Sequence, residues 1–147
     1  MPPKECFETE NSLATFTRFG IENVRTASLN GLSRKQRSFL DLAIRQAESS
    51  DVTQRHGAVI TKGGRVQSVG QNKWRNRDMV LSGVEYNEHL TVHAEMDALS
   101  RVADSRGAVI YIARVGKSGE ELFSRPCDRC AQALMEAGVK QIVYTIG

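Results

Sequence analysis

Apolar positions along the chain follow two regimes that meet near residue 93. In the first, Phe39, Leu40, Ala43 and Ala47 recur at helical spacing behind Ser33 and Gln36. That pair has the spacing of a capping box, in which each side chain satisfies the other's backbone N–H, and it predicts a helix over about 33–48. A helix with a single apolar stripe has to be covered, here by a sheet. The segments 57–61 and 65–70 flank Lys62-Gly63-Gly64 and read as an antiparallel hairpin with a glycine-bearing turn. Residues 71–92 are polar and rich in charge, with Trp74, Tyr86 and His89 interspersed, and read as a long loop of the kind that carries function or moves.

From residue 93 the pattern changes to helix, buried strand, helix, buried strand. Ala94, Ala98, Leu99 and Val102 stripe one helix, and a second runs from Asp128 to Ala137, stopped by Gly138. The runs 108–113 and 142–146 are apolar on both faces, as strands covered on both sides are. Strands of that kind joined through a helix pair in parallel. The fold class is therefore α/β, with a mixed sheet: a hairpin at one side, a right-handed parallel crossover at the other, and helices flanking. Residues 1–31 scatter Phe7, Phe16, Phe19 and Ile21 without a period and form an N-terminal extension of open structure, leaving 32–147 as the domain. No internal repeat or low-complexity segment is visible.

Composition narrows this picture. At 147 residues the chain has the length of one average domain. Its 40% hydrophobic and 25% charged residues, with 12 glycines and 3 prolines, exclude collagen, coiled coil and disorder. The formal charge of +3 suits a phosphate-bearing ligand without demanding a polymer of phosphates. No uncharged stretch approaches the roughly 18 residues of a membrane span, so no membrane partner is expected. The amino terminus carries Glu5, Glu8 and Glu10 where a signal peptide would be apolar, which points to a cytoplasmic protein. Of the three cysteines, Cys127 and Cys130 are too close for a comfortable structural disulfide, so metal or redox chemistry in a reducing compartment fits them better; Cys6 reads as incidental.

Two short motifs carry chemistry, each at the start of a predicted helix: His93-Ala94-Glu95 and Pro126-Cys127-Asp128-Arg129-Cys130. Cys127 and Cys130 lie on one helical face, where the partial positive charge of the helix start favours thiolates. With the His93 imidazole they make a Cys2His set for Zn2+, and three protein ligands leave a fourth position for water, as catalytic sites do. Glu95 need not ligate. It can take a proton from that water and deliver protons to a substrate.

The paired motifs resemble the cytidine and deoxycytidylate deaminase superfamily, which also includes tRNA adenosine deaminases. The likeness extends from the helix at 33 to residue 146, in the order helix, hairpin, helix, strand, helix, strand. It implies a three-layer α/β fold and deamination of a cytosine nucleotide, dCMP to dUMP, with Glu95 as the catalytic acid and base. It also implies that Asn72 hydrogen-bonds the sugar, the backbone N–H of Ala94 holds the base carbonyl and the backbone C=O of Arg125 faces the departing amine. Many family members continue into a further helix and strand. An outer edge at the 142–146 strand would then be short, paired with the N-terminal segment, or covered by another subunit, which makes a homo-oligomer plausible. Asp97 sits at a position that varies among the family's branches and does not settle the substrate.

Other readings compete. Lys73, Arg75 and Arg77 alternate beside Asn72, so an extended segment would place all three on one side, where they could grip a nucleotide phosphate; a solvated loop is the bland alternative. The same cluster suits single-stranded DNA or RNA, the rival polymer substrate. A closed zinc knot would add His89 to His93 and the two cysteines, giving an interaction module without catalysis. Trp74 and Tyr86 could stack on a base or pin the loop. His56, at a strand start, reads as structural or surface, and Arg34, Lys35 and Arg37 as an exposed helix face.

Overall fold

The computed structural model describes residues 12–17, 26–28, 32–74 and 91–145. Helix α1 (Arg34–Glu48) starts as its sequence dictates. Ser33 Oγ accepts from the Gln36 N–H at 3.1 Å, and Gln36 Oε1 accepts from the Ser33 N–H at 2.9 Å. Its buried stripe, Leu40, Ala43 and Ala47, lies on strands β3 (Arg55–Lys62) and β7 (Val109–Val115). The approach is close at Gly57, where a Cβ would strike the Ala43 carbonyl oxygen.

Strand β3 turns through Gly63 and Gly64, at φ +59° and +76°, into β4 (Arg65–Gln71), the antiparallel hairpin the sequence predicts. Both angles are left-handed, which glycine adopts without a side-chain penalty. The seven-stranded sheet runs β2-β1-β9-β7-β3-β4, with β8 (Glu121–Leu122) off β7; β1 is Ser12–Thr17, β2 is Thr26–Ser28 and β9 is Gln141–Thr145. β7 pairs with β9 in parallel and with β3 antiparallel, so the mixed sheet follows the predicted plan.

Alternation along the strands sorts the core into two layers. Val59, Tyr111, Ala113 and Val143 face α1 together with Leu40 and Ala43. Ala58, Ile60, Ile110, Ile112, Ile142 and Tyr144 face helices α2 (Ala94–Leu99) and α3 (Asp128–Glu136), where Ala94, Ala98 and Leu134 join them. The result is three layers.

Three features differ from the pattern-based expectation. α2 ends at Leu99, and Val102 packs on the same core from beyond the helix. The loop at 71–92 is zipped at its stem: β5 (Lys73–Trp74) pairs antiparallel with β6 (Thr91–Val92). The N-terminal residues 12–17 pair antiparallel with β9, and 26–28 with 12–14, so of the three fates expected for that edge the N-terminal segment supplies the cover.

Candidate metal centre and active-site pocket

Two helix N-termini converge beyond the carboxyl ends of β7 and β9. His93 is the N-cap of α2, with extended φ −69° and ψ 148°, and Cys127 is the N-cap of α3, at φ −64° and ψ 161°. Cys127 Sγ accepts from the Cys130 N–H at 3.4 Å, a cap made by sulfur that folds both thiols to one side. His93 Nδ1 lies 3.2 Å from Cys130 Sγ and 3.8 Å from Cys127 Sγ, and all three ligand atoms fall within 4.8 Å of one another.

Tetrahedral zinc with ordinary Zn–S and Zn–N bonds needs separations of about 3.6 Å between N and S and about 3.8 Å between two sulfurs. The cluster is therefore already at zinc-binding spacing, and an imidazole with two thiols is a zinc donor set. One expectation changes. Burial and the neighbouring Glu95 charge push the Cys130 thiol pKa upward, so the helix start alone does not make it a thiolate. A bound cation reverses that balance.

Glu95 sits in the first turn of α2, 4% exposed, and burial raises its carboxyl pKa while the His93 charge and hydrogen bonds from its own backbone and Cys130 oppose the rise. A cavity of about 180 Å³ opens beside it, lined by Gln54, His56, Asn72, Thr91, His93, Ala94, Glu95, Arg125 and Cys127. Ala94, the first residue of α2, brings into this cavity a helix start whose N–H groups have no intrahelical acceptor.

Asn72 is buried and held by three side-chain hydrogen bonds. Its Oδ1 accepts from the His56 N–H at 2.9 Å and from Ser50 Oγ at 2.7 Å, and its Nδ2 donates to the Gln54 carbonyl. It thereby locks the chain before β3 to the end of β4, one wall of the cavity. Lys73 goes elsewhere: its Nζ is 2.9 Å from Asp97 Oδ1, which also takes Arg101, while Asp97 Oδ2 accepts from the Gln71 N–H. Lys73 is thus an anchor between the loop stem and α2 and does not line the cavity. Arg75, Arg77, Tyr86, His89 and Cys6 lie outside the described residues, as does any knot built on His89.

His56 was expected to be structural or surface, yet it lines the cavity. Its ring Nδ1 donates to the Gln54 carbonyl at 3.2 Å, and burial, Arg114 and His93 lower its pKa to about 4 against that bond. The signal was available: counting back by twos from Ile60 and Ala58 puts residue 56 on the α2/α3 face, provided the strand starts at 55 rather than 57. Arg114, overlooked in the sequence, is paired with His56 across β7 and β3.

With the geometry in place, comparison with known proteins decides the family. Residues 33–146 match the family model described as the cytidine and deoxycytidylate deaminase zinc-binding region. The chain belongs to the cytidine and deoxycytidylate deaminase family. As a member it is a hydrolytic deaminase with a zinc-binding region. It is similar to a probable deoxycytidylate deaminase of Caenorhabditis elegans, 30% identical over 95% of this chain and 74% of that protein. It is also similar to a deoxycytidylate deaminase of Enterobacteria phage T2, 25% identical over 66% of this chain and 71% of the phage protein. The fold is that of the dCMP deaminase of cyanophage S-TIM5, solved in complex with dCMP and dUMP: TM-score 0.53 and 19% identity over 74% of this chain and 79% of that one.

Proposed function

We propose that the protein converts dCMP to dUMP, with His93, Cys127 and Cys130 holding a zinc ion and Glu95 moving the protons. The observation that carries this reading is a buried carboxylate opening on the same cavity as a Cys2His cluster at zinc-binding spacing. A zinc ion held there lowers the pKa of water enough to supply a nucleophile at neutral pH. Glu95 takes one proton from the attacking water and passes it to N3 of the cytosine ring, then takes the remaining proton from the hydroxyl added at C4 and passes it to the amino group there. Water adds at C4, the C4–N bond breaks, and ammonia leaves with uracil as product. Its raised pKa suits a group that must both take and give a proton near neutrality.

The remaining roles belong to the same reading. The Ala94 N–H donates to the ring carbonyl, and the Arg125 C=O accepts from the leaving amine. Asn72, held by Gln54, Ser50 and the His56 N–H, offers the sugar a fixed amide. The deoxycytidylate relatives support a mononucleotide. Of the basic cluster, Arg75 and Arg77 stay in this reading as phosphate contacts, and Lys73 holds their stem. Free thiols at Cys127 and Cys130 suit a reducing, cytoplasmic setting, and no described helix is long and apolar enough to cross a membrane. A homo-oligomer and a domain spanning 32–147 belong to the same reading, checked by light scattering and by limited proteolysis. Ammonia release from dCMP, deoxycytidine, cytidine and short single strands by zinc-loaded protein tests the substrate: dCMP should be the best, and a strand turned over faster would overturn the choice.

A further inference from the structure

Between β7 and the start of α3 the chain makes a hairpin that no sequence motif announces: β7 turns through 116–120 into β8, and Arg125 follows three residues after Leu122. Arg55 donates to the Gly116 carbonyl and ties this hairpin to the start of β3. The Ser124 hydroxyl, buried among Ile112 and Thr145, ties its exit to β7 and β9. The hairpin and its exit carry two arginines toward the site. Arg125 lines the cavity, its side chain only 12% exposed and 3.6 Å from Asp128, a carboxylate left 81% in solvent. Arg114 faces the α2/α3 side by alternation with Ile110 and Ile112, opposite His56, and its Nε is buried with no hydrogen-bond partner among the described residues.

We propose that Arg114 and Arg125 form an anion-reading pair beside the pocket that takes the 5′-phosphate of the nucleotide. The proposal rests on the deaminase reading above and names the residues that read the substrate's charge. The half-buried Arg114 guanidinium, with its Nε unpartnered among the described residues, is costly to keep in a fold unless an anion compensates it. The planar fork of arginine matches a phosphate through paired N–H donors, whereas the other described side chains lining the pocket carry no fixed positive charge. His56 fits this arrangement. Beside Arg114 it stays neutral, and its ring Nδ1 is committed to Gln54, so it adds no charge of its own. The lysine first expected to read the phosphate is spent on Asp97.

The test compares the parent, Arg114→Gln, Arg125→Gln and Arg114→Lys, each zinc-loaded and shown to be folded by its melting curve. Steady-state rates are taken with dCMP and deoxycytidine, and calorimetry measures binding of dUMP, deoxyuridine and inorganic phosphate. In each Gln variant the ratio of kcat/KM for dCMP to that for deoxycytidine should fall about 10- to 100-fold, the worth of one or two charge-assisted hydrogen bonds, mostly through KM. dUMP affinity should fall alike while deoxyuridine affinity holds, and Arg114→Lys should recover part of the loss. An unchanged ratio in both folded Gln variants, or equal losses on nucleotide and nucleoside, overturns the proposal. Preferential loss of oligonucleotide binding assigns the pair to a strand and overturns it as well. If the parent turns over neither substrate, the deaminase reading fails on its own, and the dUMP and phosphate titrations still decide the arginines.

Discussion

Glu95 separates a catalyst from a zinc-bound scaffold. Its carboxyl is buried beside the His93, Cys127 and Cys130 cluster, so Glu95→Gln should keep the shape and the zinc but remove the carboxylate that takes and returns the protons. The expected loss in kcat is at least the upper part of the 10²- to 10⁴-fold typical of general acid–base catalysis, because one group serves several transfers. Zinc content and melting temperature should stay near those of the parent; a folded, metal-loaded variant with parental turnover would contradict the mechanism. His56 yields a pH prediction of a different kind. Its folded pKa of about 4 lies below the ordinary histidine value of 6.5, so the unfolded chain binds the proton first as pH falls. Its contribution to stability is therefore complete above pH 6.5 and is lost as pH drops toward 4, by up to about 3 kcal/mol. Chemical denaturation at pH 7.5 and pH 4.5 should show His56→Gln losing less stability over that interval than the parent. Equal losses would mean that His56 is not held neutral by its surroundings.

Elements position these residues through close backbone contacts, and Gly70 is the tightest of them for the site. A Cβ there would lie 2.6 Å from both the Ala94 carbonyl oxygen and the Ala98 nitrogen, atoms of the backbone of α2. Gly70→Ala should push α2 off β4, carrying His93 and Glu95 with it, at a cost of about 1–3 kcal/mol typical of overpacking. Zinc affinity should weaken in parallel, so a variant with reduced melting temperature but unaltered zinc affinity would show that the helix moves without its N-terminus. The elements also mark how far the sequence could be read. α1, the β3–β4 hairpin, β7, α3 and β9 were legible because periodicity, the Ser33–Gln36 box and Gly63-Gly64 are local signals that agree with the tertiary packing. β5, β6 and β8 are two residues long, too short for a period, and exist only because a distant strand pairs with them. The same holds for β1, whose pairing with β9 joins residues more than a hundred positions apart, and for β2, which pairs only with β1. In the site, His93, Cys127, Cys130 and Glu95 were legible from spacing. Lys73 was not, because its partner Asp97 lies across the loop stem, and Arg114 was not, because only the β3–β7 register brings it beside His56 at the cavity.

At the scale of the whole molecule, the sheet holds α2 and α3 on one face, but the two helices touch each other little, and their facing N-termini bring together a histidine and two thiols. A metal there cross-links segments that are 34 residues or more apart in sequence, His93 to Cys127 and Cys130. Metal-free, the same groups work against the fold. Cys130 and Glu95 are buried together: burial resists the ionisation of both, and the Glu95 charge further resists that of Cys130. Binding relieves both penalties, so metal affinity is folding free energy in this molecule. Stripping the metal with a chelator should lower the melting temperature by about 10 °C or more, since each kcal/mol shifts a domain of this size by roughly 2–4 °C. Cys130→Ser should reproduce most of that loss without chelator and show little further change on adding it, because its buried position leaves the oxygen a poor ligand. Restoring Zn2+ to the stripped parent should restore the melting temperature, and Mg2+, which prefers oxygen donors, should not. A melting temperature indifferent to chelation, in protein that metal analysis shows to have been loaded, would place the cluster outside the folding balance and make the cross-link argument wrong.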